Sequence, residues 1–382
     1  MRILVFSPYY PPHVGGLEAH AKELNDELCQ KGFTVEVFTP QLPQSSDAEE
    51  RAGLVAITRF PAFEIIPNYP LPKLWLPAFW QMLAAFRKTK PDIIISHTRF
   101  FITSLMALVA AKVKKVPWVH IEHGSDFVHL NSVFFRKIAL FFDHTLGVMV
   151  LKSASKIVAV SHASASFIKK ISGRDSLVIY RGFNSDYLKA FTQKAKPQTE
   201  GKNVVRIAYI GRLIDGKGVF DLLRAIERLK HQGVHCFIVG DGPLRGAIES
   251  FIQENSLEQL VTLTGYLPSH EAMEVVVTSD IVVNPSYTEG LPTVVIEAGL
   301  LGKAIVASDV GGTGEIVTNG VNGFLFKPAD VESLVSKLEM LIGDPELRNR
   351  MGIAAKAYNE EKFNWNRGIK KFIELFNKLT AS

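Results

Sequence analysis

A strand-like run from Val204 to Ile210 ends in Gly211-Arg212-Leu213-Ile214-Asp215-Gly216-Lys217-Gly218. Glycines after a parallel strand let the backbone approach a ligand, and the helix that follows offers its N-terminus to an anion. Arg212 and Lys217 add two fixed cations around those glycines, which suits a diphosphate. The spacing is that of a phosphate-binding P-loop until its last position. Magnesium ligation there needs Ser or Thr, and this chain has Gly218. A magnesium-dependent nucleoside triphosphatase is therefore disfavoured. Two further glycine loops follow strand-like runs: Pro11-Pro12-His13-Val14-Gly15-Gly16-Leu17 and Gly240-Asp241-Gly242-Pro243.

The densest segment is Asn284-Pro285-Ser286-Tyr287-Thr288-Glu289-Gly290-Leu291-Pro292-Thr293-Val294-Val295-Ile296-Glu297-Ala298. Pro292 suits the first position of a helix, which leaves the amides of Gly290, Leu291 and Thr293 near a positive helix end. Glu289 then lies in the loop, and Glu297 lies inside the helix among Val294, Val295 and Ile296. A carboxylate in such a stretch needs a partner. A bound hydroxyl can serve, and so can a backbone group or a lysine. The dinucleotide fingerprint Gly-x-Gly-x-x-Gly does not occur in the chain, so a dehydrogenase lacks support. Asp-x-Asp, a common handle for a metal-bound nucleotide-sugar, does not occur either.

The elements that must position these residues read as alternating strands and helices. Strands are expected at 2–7, 34–39, 92–97, 117–122, 156–160 and 176–180. A second set is expected at 204–210, 234–239, 259–264, 280–284, 304–308 and 323–326. Several are continuously apolar, as in Ile93-Ile94-Ile95 and Ile281-Val282-Val283. Such runs separated by helices imply parallel sheets covered on both faces. Twelve of them exceed one ordinary doubly wound sheet and fit two Rossmann-like domains. Residues 190–203 lack apolar periodicity, contain Pro197 and Gly201, and read as the connection. The expected domains are 1–190 and 204–364. A last helix, 365–382, carries Trp365, Ile369, Phe372, Ile373 and Phe376 at helical spacing and is expected to cross back to the first domain.

Composition bounds the alternatives. The hydrophobic class is 47% of 382 residues and the charged class 21%, so the chain can bury real cores. Cys29 and Cys236 lie far apart and lack metal-type spacing, which suits a reducing cytosol. The first apolar run is too short for a signal-peptide core. No stretch reaches the ~20 apolar residues of a membrane span. The net charge of +5 is uneven: residues 1–185 hold 21 Lys and Arg against 14 Asp and Glu. A basic first half favours anionic partners. No nucleic-acid-binding module is recognised, so nucleic acid is not expected among them.

Glu289 and Glu297, with seven residues between them, resemble the E-x7-E motif of family 4 of the retaining glycosyltransferases. The Arg212–Lys217 loop, Gly240-Asp241-Gly242 and the early Gly15-Gly16 occur in that family's order, so the resemblance spans the whole chain. It implies the α/β GT-B fold, two Rossmann-like domains with parallel sheets facing a central cleft. It also implies transfer of a sugar from a nucleoside-diphosphate sugar to a glycan or lipid-linked hydroxyl, with no metal and no cofactor. Arg212 and Lys217 would then bind the diphosphate, with Gly211 in their loop. Asp241 and Gly242 would lie on the donor side. Glu297 would bind the ribose, and Glu289 the hydroxyls of the moving sugar. The amides around Gly290, Leu291, Pro292 and Thr293 would hold sugar and phosphate. Gly15 and Gly16 would contact the diphosphate from the first domain. His123, in Glu122-His123-Gly124, matches the family's histidine near the reacting sugar. An epimerase of the same fold, or an inactive scaffold subunit, are the competing readings.

Residues 65–90 and 134–142 combine Trp, Phe and Leu with Lys and Arg. They fit helices lying in a lipid interface, or core helices covering the first sheet. The first reading adds an anionic membrane surface to the expected partners. The expected location is then the cytoplasm, with peripheral contact to the inner face of the cell membrane.

Overall fold

The computed structural model describes residues 1–13, 15–42, 47–66, 69–127, 133–183 and 204–381. It divides into two compact units, Met1–Arg181 with Asn366–Ser382, and Gly182–Trp365. The expected connection at 190–203 lies outside the described residues.

The first unit runs β1 (Arg2–Phe6), α1 (Gly16–Gln30), β2 (Thr34–Pro40), β3 (Glu49–Ala52), β4 (Val55–Phe60), β5 (Ala62–Ile66), β6 (Tyr69–Pro72), α2 (Pro77–Arg87), β7 (Ile93–His97), α3 (Ile102–Lys114), β8 (Trp118–Glu122) and α4 (Val133–Phe142). A π-helical turn, Asp143–Gly147, leads into α5 (Val148–Ser153), β9 (Lys156–Ala159), α6 (His162–Ser172) and β10 (Leu177–Val178). Eight strands form one sheet in the order β10-β9-β8-β7-β1-β2-β4-β3, parallel except where β3 pairs antiparallel with β4. Leu4, Phe6, Ile94 and Ile157 face a core completed by Phe79 of α2, Leu108 of α3, Leu151 of α5 and Ile168 of α6.

Strands β3 to β6 go beyond the sequence expectation. β4 reads as half polar because Arg59 interrupts it, yet Arg59 is fully buried. Its two terminal guanidinium nitrogens meet Glu50 and the carbonyls of Asp47 and Pro11, so its charge is answered inside the fold, while Nε makes no hydrogen bond among the described residues. The 65–90 segment is not one helix. Pro70 and Pro72 sit in β6, which among the described residues pairs only with β5 in a two-stranded ladder, where a missing N–H is tolerated.

The second unit runs β11 (Val205–Ile210), α7 (Val219–Arg228), β12 (Val234–Val239), α8 (Arg245–Glu254), β13 (Val261–Gly265), α9 (Ser269–Thr278), β14 (Ile281–Asn284), α10 (Thr293–Leu300), β15 (Ala304–Ser308), β16 (Phe324–Phe326), α11 (Val331–Gly343) and α12 (Pro345–Lys362). Its six strands are all parallel, in the order β13-β12-β11-β14-β15-β16. Ile207, Ile281 and Val306 are buried on one face and Ala208, Val282 and Ile305 on the other, as continuous apolar strands require. The last helix, α13 (Trp365–Thr380), buries Ile369, Phe372 and Phe376. The Phe376 ring meets Phe33 of the first unit at 6.5 Å.

Candidate functional site

In an open parallel sheet, a crevice forms outside the carboxyl ends of two neighbouring strands whose connections run in opposite directions. The second unit has this switch point between β11 and β14. The loop after β11 carries Gly211, Arg212 and Lys217, and the loop after β14 carries Glu289, Gly290 and Leu291. The two loops are bonded to each other. Lys217 Nζ lies 2.7 Å from Glu289 Oε1. The Tyr287 amide donates to the Gly216 carbonyl at 2.8 Å, and its hydroxyl donates to Asp221 Oδ2 of α7 at 2.8 Å. Burial and that carboxylate push the Tyr287 phenol up to about 12.

Gly218 caps α7 in the left-handed region at φ +65°, and a Cβ there would overlap the Pro285 carbonyl oxygen. This close approach is the physical reason a Ser or Thr cannot stand where a P-loop has one. Gly240 and Gly242 pack in the same way against the carbonyls of Gly211 and Leu213. Asp241 between them is exposed; its Oδ1 accepts from the Gly242 amide at 2.7 Å. Arg212 is exposed at the crevice, with its carbonyl taken by the Tyr209 hydroxyl at 3.1 Å.

Pro292 is the cap of α10 and Thr293 its first residue, one position later than the sequence suggests. A proline cap still leaves the following amides at the positive helix end. Gly290 is fixed through its carbonyl, which accepts from the Gly312 amide at 3.1 Å. Leu291 is half-buried and Pro292 buried. Glu297 is half-buried, between the buried Ile296 and Ala298.

Gly15, Gly16 and His123 belong to the first unit. Its switch point lies between β1 and β7. Gly15 and Gly16 open α1, and His123 follows β8. Three imidazoles gather there: His20 of α1, His97 at the end of β7, and His123. The ring centres of His20 and His123 are 5.1 Å apart, and those of His97 and His123 5.3 Å. His97 Nδ1 lies 3.1 Å from His123 Nε2. Burial lowers the pKa of all three, taking His123 to about 4 and the other two well below the usual range.

A buried ionic network supports the His123 loop. Arg99 lies 3.1 Å from Glu122 and 3.0 Å from Asp143. Glu122 Oε1 accepts from the Gly124 amide at 2.9 Å, and Oε2 from the Arg99 amide at 3.1 Å. Burial alone would raise the Glu122 carboxyl, but Arg99 and His120 outweigh it and hold it well below the usual carboxylate range.

His20 and His97 escaped the sequence reading. Each had a signal. His20 lies one turn after Gly16 on the helix that opens the crevice, and His97 ends a strand, where ligands bind in such sheets.

Two Rossmann-like units, each with a glycine loop at a switch point, define a GT-B fold, and the comparisons agree. A sucrose-phosphate synthase from Thermosynechococcus elongatus superposes with a TM-score of 0.83 at 22% identity, covering 100% of this chain and 99% of that one. Anabaena HepE in complex with UDP-glucose gives 0.78 at 20% identity, covering 99% and 100%. Residues 14–187 match the family model described as Glycosyltransferase Family 4, and residues 190–358 the one described as Glycosyl transferases group 1. An uncharacterised glycosyltransferase of Methanocaldococcus jannaschii is 34% identical over 388 residues, 99% of each chain. The chain belongs to the family 4 glycosyltransferases.

Proposed function

We propose that the protein moves a sugar from a nucleoside-diphosphate sugar to a hydroxyl of a glycan or lipid-linked acceptor, with retention and without a metal ion or other cofactor. The observation that carries this reading is the β11/β14 crevice, where Lys217 of the Arg212 loop meets Glu289 in the loop that leads into α10. HepE, which shares the fold, is seen with UDP and with UDP-glucose.

The glycosyl–phosphate bond breaks through an oxocarbenium-like state, and the bonding pair leaves with the diphosphate. Arg212, Lys217 and the amides at the start of α10 stabilise that growing negative charge. Glu297 holds the ribose, and Glu289 the hydroxyls of the moving sugar. His123, in the first unit, is kept neutral by burial, so a hydrogen bond from it to a sugar would add no cation beside an oxocarbenium. In a same-face substitution the departing phosphate oxygen takes the proton of the acceptor hydroxyl while that oxygen bonds to the anomeric carbon. We place the reaction in the cytoplasm, in assembly of cell-envelope glycans.

The test is a thermal-shift screen of nucleotides and nucleotide-sugars without added metal, on wild type, Lys217→Ala and Glu297→Ala. A ligand at a hundredfold excess over its Kd stabilises by about 2.7 kcal/mol. One nucleoside diphosphate should raise the wild-type midpoint and fail to raise either variant. If none stabilises the wild type, the donor site is wrongly assigned.

A further inference from the structure

The helices covering one face of the first sheet turn an unusual surface outward. Helix α4 exposes Phe134 (68% accessible), Ile138 and Phe141 (72%), spaced four and three residues apart and so on one face, while Ala139 is buried. Arg136 and Lys137 are exposed beside them. Helix α3, which shares a core with α5, the continuation of α4 past the π turn, exposes Val109 and Val113 next to Lys112 and Lys114. Trp75 and Trp80 are exposed just before and within α2. Helices α2, α3, α4 and α5 contain no Asp or Glu. Asp143, in the π turn after α4, is buried against Arg99. By contrast, α1 carries Glu18, Glu23, Asp26 and Glu27.

Apolar side chains flanked by cations, with acids excluded, are what a helix lying in the headgroup region of an anionic bilayer requires. A second copy of the chain docking on this face would set like charges against each other. We propose that the outer face of α2 to α5, centred on α4, docks on an anionic lipid surface. Among the described residues no helix is long and apolar enough to cross a membrane, so this contact is peripheral. Through Asp143, Arg99 and Glu122, α4 is tied to the loop of His123. A lipid-linked acceptor fits that proximity. This last step rests on the transfer reaction proposed above, whereas the docking stands without it.

The test is co-sedimentation of the full chain with vesicles of phosphatidylglycerol and phosphatidylcholine, and with phosphatidylcholine alone, at low and high salt. The wild type should bind the anionic vesicles, bind phosphatidylcholine at least tenfold more weakly, and weaken with salt. Arg136→Ala/Lys137→Ala should lose about thirtyfold, the effect of two cations near an anionic surface. Phe134→Ser/Phe141→Ser should lose at least tenfold. Both variants should keep the wild-type melting midpoint and any donor-induced shift, since the changed side chains are exposed. No binding to anionic vesicles at low salt, or undiminished binding by both folded variants, overturns the proposal. A concentration-dependent dimer abolished by the Phe134/Phe141 variant would assign this face to a second copy and also overturn it. Loss of transferase activity with binding intact would count against the reaction and leave the docking standing.

Discussion

Lys217 Nζ and Glu289 Oε1 meet at 2.7 Å across the crevice between β11 and β14. The ammonium expected to receive a diphosphate is thus held by the carboxylate expected to receive the sugar. Both side chains keep some solvent contact, so the pair itself contributes about 1 kcal/mol or less. Lys217→Ala should leave the urea midpoint nearly unchanged and lower kcat/KM about 10²- to 10³-fold, the usual effect of removing one donor to a developing anion. A fall of several kcal/mol in stability with a small kinetic effect would make Lys217 a structural residue.

Gly216 and Gly218 both have positive φ, but only Gly218 faces backbone. A Cβ at Gly216 meets nothing within 4 Å. Gly216→Ala should therefore cost about 1 kcal/mol, from backbone strain alone. Gly218→Ala adds the clash with Pro285 and should cost clearly more, pushing the two loops apart and weakening nucleotide binding. Chemical denaturation of the pair decides; equal costs would reject the close approach of Gly218 to Pro285.

The three imidazoles set an acid limit. Burial depresses the pKa of His20, His97 and His123 below the unfolded value of 6.5, so the folded state binds fewer protons than the unfolded chain below that pH. Their contribution is fully present above about pH 6.5 and is lost as pH falls towards the folded values, about 4 for His123. The melting midpoint should fall steadily from pH 6.5 to 4. His20→Gln should flatten that slope, because it removes one of the depressed groups. An unchanged slope in a folded His20→Gln would reject the assignment.

His97 positions His123 through the Nδ1–Nε2 contact of 3.1 Å. An asparagine amide can occupy nearly the place of that Nδ1, and a leucine cannot. His97→Asn should keep most of kcat, while His97→Leu should lower it about a hundredfold, at the lower end for losing one positioned hydrogen bond in the transition state. KM for the donor should change little in either. Equal losses in both variants would show that bulk, not the hydrogen bond, is what His97 supplies.

The twelve strands expected from the sequence are present, because runs such as Ile93-Ile94-Ile95 can be buried on both faces only in a parallel sheet. β4 was illegible for the opposite reason. Arg59 looks like a surface residue until Glu50 and two carbonyls, supplied by separate segments, are brought to it. The glycine loop with Arg212 and Lys217 and the loop with Glu289 could each be read at a strand end. That they share one crevice depends on β11 lying beside β14, a neighbour relation that local periodicity does not encode. The histidine cluster was only one-third visible, because its rings come from an α-helix, a strand end and a loop distant in sequence.

Phe183 bridges to Asn364 and donates its amide to the Phe363 carbonyl at 2.9 Å, and a Cβ on Gly182 would run into Trp365. The second unit therefore begins and ends at one place, and the chain on either side belongs to the first. In genealogical terms it is a cassette set into a host. Exchanging it with the corresponding unit of a relative needs two splice points, at Phe183 and Asn364. A chimera cut at a single point near residue 200 would leave the host without its closing helix, α13.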